Sequence, residues 1–199
     1  MKFEAVIDEK HNNRMHLKIS ELCDKDFLFG DWRNFEGRER RNRSTGKIVN
    51  SKGNRNFAIR VPESIFMEDP IFQELVRRNY NFWELKPNPE YEQTETAYAL
   101  VIKISYAHDP ENPWKDPHIS TFNHEEIEDL EEHQLVDLDH YRLLGATIEC
   151  HTYDGEKCSL YLDDAVFEIE PPRKRADIRD RYRALLNRDE SEDEVIPFN

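Results

Sequence analysis

Between Arg33 and Arg60 the chain carries nine cations, Arg33, Arg38, Arg40, Arg41, Arg43, Lys47, Lys52, Arg55 and Arg60, against two acids, Glu36 and Glu39. This segment has a formal charge of +7 in a chain whose net charge is −14, so the remainder stands at −21. Trp32, Phe35 and Phe57 are interleaved with the positive charge. Cations beside flat side chains suit a flexible polyanion whose bases offer faces for stacking, which is the chemistry of an unpaired nucleic acid strand. Arg33, Arg38, Arg40, Arg41, Arg43, Lys47, Lys52 and Arg55 are the expected phosphate partners, and Trp32, Phe35 and Phe57 the expected stacking rings. Phe57 shares a strand face with Ile59 and Val61, which also fits a place in the core. Tyr98, Lys103 and Tyr106 on a later strand complete the expected nucleic-acid-binding set.

The elements that position these residues follow from pattern. Phe27 to Phe29 reads as a strand running into the basic stretch, and Asn56 to Val61 alternates as a second strand. Gly37, Gly46 and Gly53, with Asn42, Asn50 and Asn54, mark turns between them. A loop so rich in arginine cannot be core and serves as a mobile or binding arm. Upstream, Phe3 to Ile7 and Met15 to Ile19 form a weakly specified hairpin around a polar turn. Asp69-Pro70 is a helix start, with Asp as cap and Pro in the first turn, and predicts a helix over 70–79. Phe82 to Lys86 is a short strand ended by Pro87 and Pro89. Ala97 to Tyr106 is the most strand-like run of the chain. His118 to Phe122 is a further strand, and residues 135–139 a single helical turn. A long hairpin pairs Tyr141–Tyr153 with Glu156–Glu170 through a turn at Asp154-Gly155. After Pro171-Pro172 a basic helix is expected over 176–186. The set predicts a mainly β protein, an OB-fold-like β-barrel with one inserted helix, a C-terminal helix and a disordered acidic tail. The division is 1–26 as an N-terminal extension, 27–170 as the binding domain, 171–187 as a basic helix and 188–199 as the tail.

Composition narrows the classes. At 199 residues the chain is long enough for one domain with its own core. No apolar run is long enough to span a membrane, and the N-terminus lacks a signal-peptide core, so a cytoplasmic protein without membrane partners is expected. Cys23, Cys150 and Cys158 are odd in number and lack a C-x-x-C pair, which argues for free thiols and against zinc. No metal or cofactor is expected. Asp137 with Asp139, and Asp163 with Asp164, are carboxylate pairs of the sort that could hold magnesium in a nuclease, but neither has a Lys or His at a diagnostic spacing. The second pair sits in a strand where adjacent side chains point to opposite faces. No phosphate loop, nucleophile elbow or H-E-x-x-H appears, so no catalytic residue is expected.

Two resemblances add to this reading. Arg33-Asn34-Phe35-Glu36-Gly37-Arg38-Glu39, then Asn50-Ser51-Lys52-Gly53-Asn54-Arg55-Asn56-Phe57, resemble the R-N-F-x-G-x-E and N-x-x-G-x-R-N-F motifs of a family of bacteriophage single-stranded DNA-binding proteins. The likeness covers about residues 27–170 and implies an OB-fold, single-stranded DNA as partner, a place in phage replication or recombination, the host cytoplasm, and no catalysis. The loop over residues 40–49 is longer and more basic than that family's connection. The tail Arg188–Asn199 packs Asp189, Glu190, Glu192, Asp193 and Glu194 ahead of Ile196-Pro197-Phe198. It is similar to the C-terminal tail of bacterial single-stranded DNA-binding proteins, which docks on repair and replication partners. That resemblance makes Asp193, Glu194, Ile196, Pro197 and Phe198 the expected partner-binding residues. Asn199 follows Phe198 here, displacing the terminal carboxylate by one residue. An acidic tail tethered beside a basic groove competes with DNA at high effective concentration and is released when DNA binds.

A second class of function is an acidic phage factor that imitates DNA and inhibits a host enzyme. The net charge, the acids between Glu125 and Glu132 and the tail favour it. The basic, ring-bearing loop does not. Oligomeric state is not encoded in any of these patterns.

Overall fold

The structure is a computed structural model describing residues 1–87, 94–112, 115–123 and 126–170. The basic helix and the acidic tail expected after residue 170, with Pro89, lie outside the described residues.

Eleven strands and three short helices follow in order: β1 (Lys2–Asp8), β2 (Arg14–Cys23), β3 (Arg40–Arg41), β4 (Ile48–Asn50), β5 (Arg55–Pro62), α1 (Glu63–Glu68), α2 (Pro70–Arg77), β6 (Trp83–Leu85), β7 (Ala97–Ile104), β8 (His118–Phe122), β9 (Ile127–Asp129), α3 (Leu135–Leu138), β10 (Arg142–Asp154) and β11 (Cys158–Glu170). Nine of these strands form one sheet: six run in the order β1-β2-β10-β11-β7-β5, while β6 pairs with β7, β8 with β11, and β9 with β8. It is mostly β and curls into a half-barrel, as expected of an OB-like scaffold. β3 and β4 make a separate two-stranded ribbon.

β10 and β11, thirteen residues each, are the spine. The free edge of β11 is shared by two parallel neighbours: Leu160 and Tyr161 pair with Ile102 and Lys103 of β7, and Asp164–Glu168 with His118–Phe122 of β8. Bulges in the β10–β11 ladder, between Leu143 and Gly145 and between Glu149 and Cys150, bend a sheet that would otherwise stay open. At the first bulge a Cβ on Gly145 would stand 2.9 Å from the Leu22 carbonyl oxygen, so only glycine admits β2 this closely. The second bulge corrects an expectation from strand alternation. The ladder passes from Glu149 opposite Asp164 to Cys150 opposite Leu162, leaving Asp163 as the extra residue. Asp163 thus stays on the face of Tyr161, and Asp164 joins the same outward face.

The concave side is filled by aromatic rings. Phe35 and Phe57 stack at 5.4 Å between centroids, and Phe167 meets both edge-on at 5.6 and 5.4 Å. A second group, Phe66, Phe72 and Phe82, seats the helices against Tyr98 of β7. Each such burial stabilises by about 1.5–3 kcal/mol relative to exposure. α2 starts as its sequence predicts, with the Asp69 carboxylate accepting from Ile71 N–H at 2.9 Å. α1 was not anticipated; it is six residues long and buries only Phe66, too short for a periodic stripe.

Residues 1–26 are more than an extension. β2 pairs with β10 over His16–Cys23 and buries Met15, Leu17, Ile19 and Leu22. Its alternation was visible; its long-range partner was not. Phe27 to Phe29 is not a strand: Phe27 makes one bridge to Ile59, and the chain then turns through Gly30–Trp32.

Candidate nucleic-acid interface

The Arg33–Glu39 motif is first of all a folding device. Asn34 is fully buried and forms a backbone bridge with Asn56 of β5, giving and taking hydrogen bonds at 2.8 and 3.2 Å. Its side-chain oxygen accepts from Arg38 N–H at 2.9 Å, and its amide donates to the Arg38 and Asn54 carbonyls at 3.0 and 3.1 Å. Asn50 repeats the contact from β4, donating to the same two carbonyls at 3.1 and 3.0 Å. Gly37 sits at φ +77, with Arg55 Cγ and the Gly53 backbone 3.1–3.3 Å from where a Cβ would be. Asp139 anchors the turn from the far side, accepting from Phe35 and Glu36 N–H at 2.9 and 3.0 Å. The asparagines and glycines of both motif halves therefore lock one loop onto β5.

From this base the β3–β4 ribbon rises as one wall of a groove of about 1280 Å³. Arg38, Arg40, Arg41 and Arg43 line that wall; Arg55, Asn56, Val101, Lys103 and Ser105 form the floor; Trp32 and Trp83 stand at one side and Tyr161 at another. The two indoles meet edge-to-face at 6.2 Å, and Trp83 is 56% exposed. Lys103 Nζ lies 5.5 Å from the centre of the Tyr161 ring and donates to Ser159 Oγ at 2.9 Å.

The cations differ in how free they are. Arg38 is half exposed and faces Glu36 at 2.7 Å and Asp139 at 3.6 Å. Arg41 pairs with Glu39 at 2.8 Å. Arg55 pairs with Glu132 at 2.8 Å and lies over the Tyr106 ring. Arg40 is mostly buried and works as a clamp: it donates to the Gly30 carbonyl at 3.1 Å and to the Arg33 carbonyl, and faces Asp31 at 3.5 Å. By holding the Gly30–Trp32 turn it positions the Trp32 ring. Arg43, Lys47 and Lys52 are exposed and form no ion pair among the described residues. Exposed pairs such as Arg41–Glu39 are worth little, about 0–1 kcal/mol, so an incoming phosphate can displace them.

The expected residues thus divide. Trp32, Arg38, Arg40, Arg41, Arg43, Arg55 and Lys103 come together around the groove. Lys47 and Lys52 lie on the exposed ribbon and turn without lining it. Five others are corrected. Arg33 is buried and donates to the Leu138 and Tyr141 carbonyls; burial lowers its pKa, with the Asp139 charge opposing. It ties the motif to α3 rather than lining the groove. Phe35 and Phe57, 0% and 1% exposed, are core rings: Phe57 points inward from β5, and Phe35, in the bend after Asn34, stacks on it. Tyr98 stacks on Phe66 at 3.9 Å, on the helix side of β7. Tyr106 is half-buried between Arg55 and His108, and burial pushes its pKa up to about 12. Trp83 and Tyr161, which the sequence reading does not single out, line the groove instead. Alternation around Leu160 and Leu162 marked Tyr161 as outward-facing, whereas no local signal places Trp83 beside Trp32.

Among the described residues no group of three or more His, Cys, Asp or Glu side chains is arranged to hold a metal ion. No helix there is long and apolar enough to cross a membrane. A curled β-sheet bearing a basic groove with exposed rings is the build of a protein that holds a single nucleic acid strand.

Residues 14–137 match the family model described as "Putative phage ssDNA-binding domain", and the chain belongs to that family. No curated protein matches the chain. Among solved structures it is similar to the single-stranded DNA-binding protein from bacteriophage Enc34, with 12% identity over 90% of this chain and 99% of that one, at a TM-score of 0.42. A C-terminal truncation of that protein gives 11% identity, 85% and 97% coverage and 0.44, and its complex with ssDNA gives 11%, 85% and 97%, and 0.42. At this identity and score these likenesses add nothing to the family match.

Proposed function

We propose that this phage protein holds single-stranded DNA in the groove between the β3–β4 ribbon and the β5–β7 floor, without reading its sequence, during replication or recombination in the host cytoplasm. The observation that carries this reading is the convergence of Arg38, Arg41, Arg43, Arg55 and Lys103 with the two indoles on one open groove. Arginines supply phosphate charge and release counterions, while Trp32, Trp83 and Tyr161 supply faces that accept any base. The acids that now face Arg38, Arg41 and Arg55 are local placeholders for phosphate. No catalytic step and no cofactor belong to this reading. Asp193, Glu194, Ile196, Pro197 and Phe198 recruit replication or recombination proteins, and the acidic run before them competes for the groove when DNA is absent.

The test is a fluorescence titration of the tryptophans with single-stranded and duplex oligonucleotides at two salt concentrations. Quenching by single strands, weakening steeply with salt, supports the proposal. Equal response to duplex, or affinity independent of salt, overturns it. Absence of any DNA response would instead favour an acidic inhibitor of a host enzyme.

A further inference from the structure

The groove is not the end of the outward face. Register across the sheet aligns one residue from each of six strands: Asn56 of β5 opposite Lys103 of β7, Lys103 beside Tyr161 of β11, Tyr161 opposite His151 of β10, His151 opposite His16 of β2, and His16 opposite Val6 of β1. Because each pair is in register, all six side chains point to one side of the sheet. At about 4.8 Å per strand the row runs roughly 24 Å, starting inside the groove and ending at an open edge.

The three middle members of the row, Tyr161, His151 and His16, are rings. His151 lies nearly parallel to Tyr161 at 6.2 Å, His16 is 6.1 Å beyond His151, and Tyr153, 58% exposed, meets Tyr161 edge-on at 6.1 Å. Acids along it stand beside histidines or a lysine. Asp163 is held by His151 at 2.6 Å and faces His16 at 3.9 Å, and Glu149 faces Lys18 at 3.2 Å. Lys103 at one end and Lys18 beside the other leave cations flanking a strip of flat surface.

We infer that the DNA footprint continues out of the groove across β11, β10 and β2, with Tyr161, Tyr153, His151 and His16 as a second stacking platform for bases of the same strand. This rests on the groove reading and extends it. Tyr161 is the joint, since it lines the groove and also begins the strip. The occupant is single-stranded nucleic acid because the strip continues the groove without a break and offers ring faces rather than aliphatic side chains.

The experiment uses the full chain and two oligothymidines, one of about 5 nucleotides that fits the groove and one of about 16 that overruns it. A Tyr153→Ser, His16→Ser double variant changes two exposed rings outside the groove. It is expected to bind the short strand as the native chain does and the long one about ten-fold more weakly. Unchanged binding of the long strand overturns the second platform and leaves the groove reading standing. Failure of the native chain to bind either strand overturns both. As a measurement independent of the variant's folding, bromodeoxyuridine cross-links from the long strand to the native chain should map to Tyr153 or His151 as well as to Trp32 or Trp83. Cross-links confined to the tryptophans also overturn it.

Discussion

Asn34 and Arg38 exchange hydrogen bonds across a four-residue loop: the Arg38 N–H donates to the Asn34 side-chain oxygen at 2.9 Å, and the Asn34 amide donates back to the Arg38 carbonyl at 3.0 Å. One buried side chain thereby sets the direction in which the basic ribbon leaves the sheet. The arginines of the ribbon stand on a base that an uncharged residue holds.

Replacing Asn34 should therefore act on fold and groove together. Asn34→Ala leaves the Arg38 N–H without its partner and the Arg38 and Asn54 carbonyls to Asn50 alone, and a destabilisation of about 1–3 kcal/mol is expected. Asn34→Asp should be worse, because a carboxylate would face the Arg38 and Asn54 carbonyls. Urea unfolding measures both. Equal stability of the Ala variant and the native chain would remove the latch role.

The division between core rings and groove rings predicts opposite phenotypes. Phe35→Ala or Phe57→Ala should cost about 3–5 kcal/mol of stability, through loss of the stack with Phe167. Trp83→Ala should leave the melting temperature nearly unchanged and weaken single-strand binding about ten-fold. A stable Phe57→Ala with impaired binding would reverse the assignment of these rings.

Arg43 is exposed in the turn of the ribbon and forms no ion pair among the described residues, whereas Arg33 is buried under α3. Arg43→Gln should keep the fold and reduce the slope of log affinity against log salt by about 0.7, the share of one single-strand phosphate contact. Arg33→Gln should instead lower stability. A salt titration paired with thermal melts separates the two, and an unchanged slope for Arg43→Gln would remove that contact.

His118 joins β8 to both neighbours, at 3.1 Å from Asp164 of β11 and 3.2 Å from Asp129 of β9. The hydrogen bond that His118 donates to Asp164 is the main cause that raises its pKa, with Asp129 adding to it against burial. A raised folded-state pKa stabilises fully below the unfolded value of about 6.5 and ceases to do so as pH rises through the folded value. The pKa of Asp129 is lowered, chiefly by Ser120, so its share is lost as pH falls through its folded value. His118→Asn should thus reduce the melting temperature more at about pH 5.5 than at about pH 8.5. The same reduction at both values would show that His118 contributes no charge.

Local pattern determined a good deal of this molecule. The alternation of Phe57, Ile59 and Val61 and of Leu100, Ile102 and Ile104, the Asp69-Pro70 helix start and the Asp154-Gly155 turn each depend on neighbours within a few residues, and each appears where the pattern placed it. So does the cationic run, since charge is a property of composition. Tertiary structure alone decided which ring is core and which is free. Phe35 disappears under Phe167, 132 positions later in the chain, while Trp83 arrives beside Trp32 through the pairing of β6 with β7. The row from Asn56 to Val6 is likewise invisible along the chain, because it exists only where six strands lie in register. Periodicity reports which way a side chain points from its own strand; what stands opposite is set by sheet order and bulges, and those depend on contacts that no local window contains.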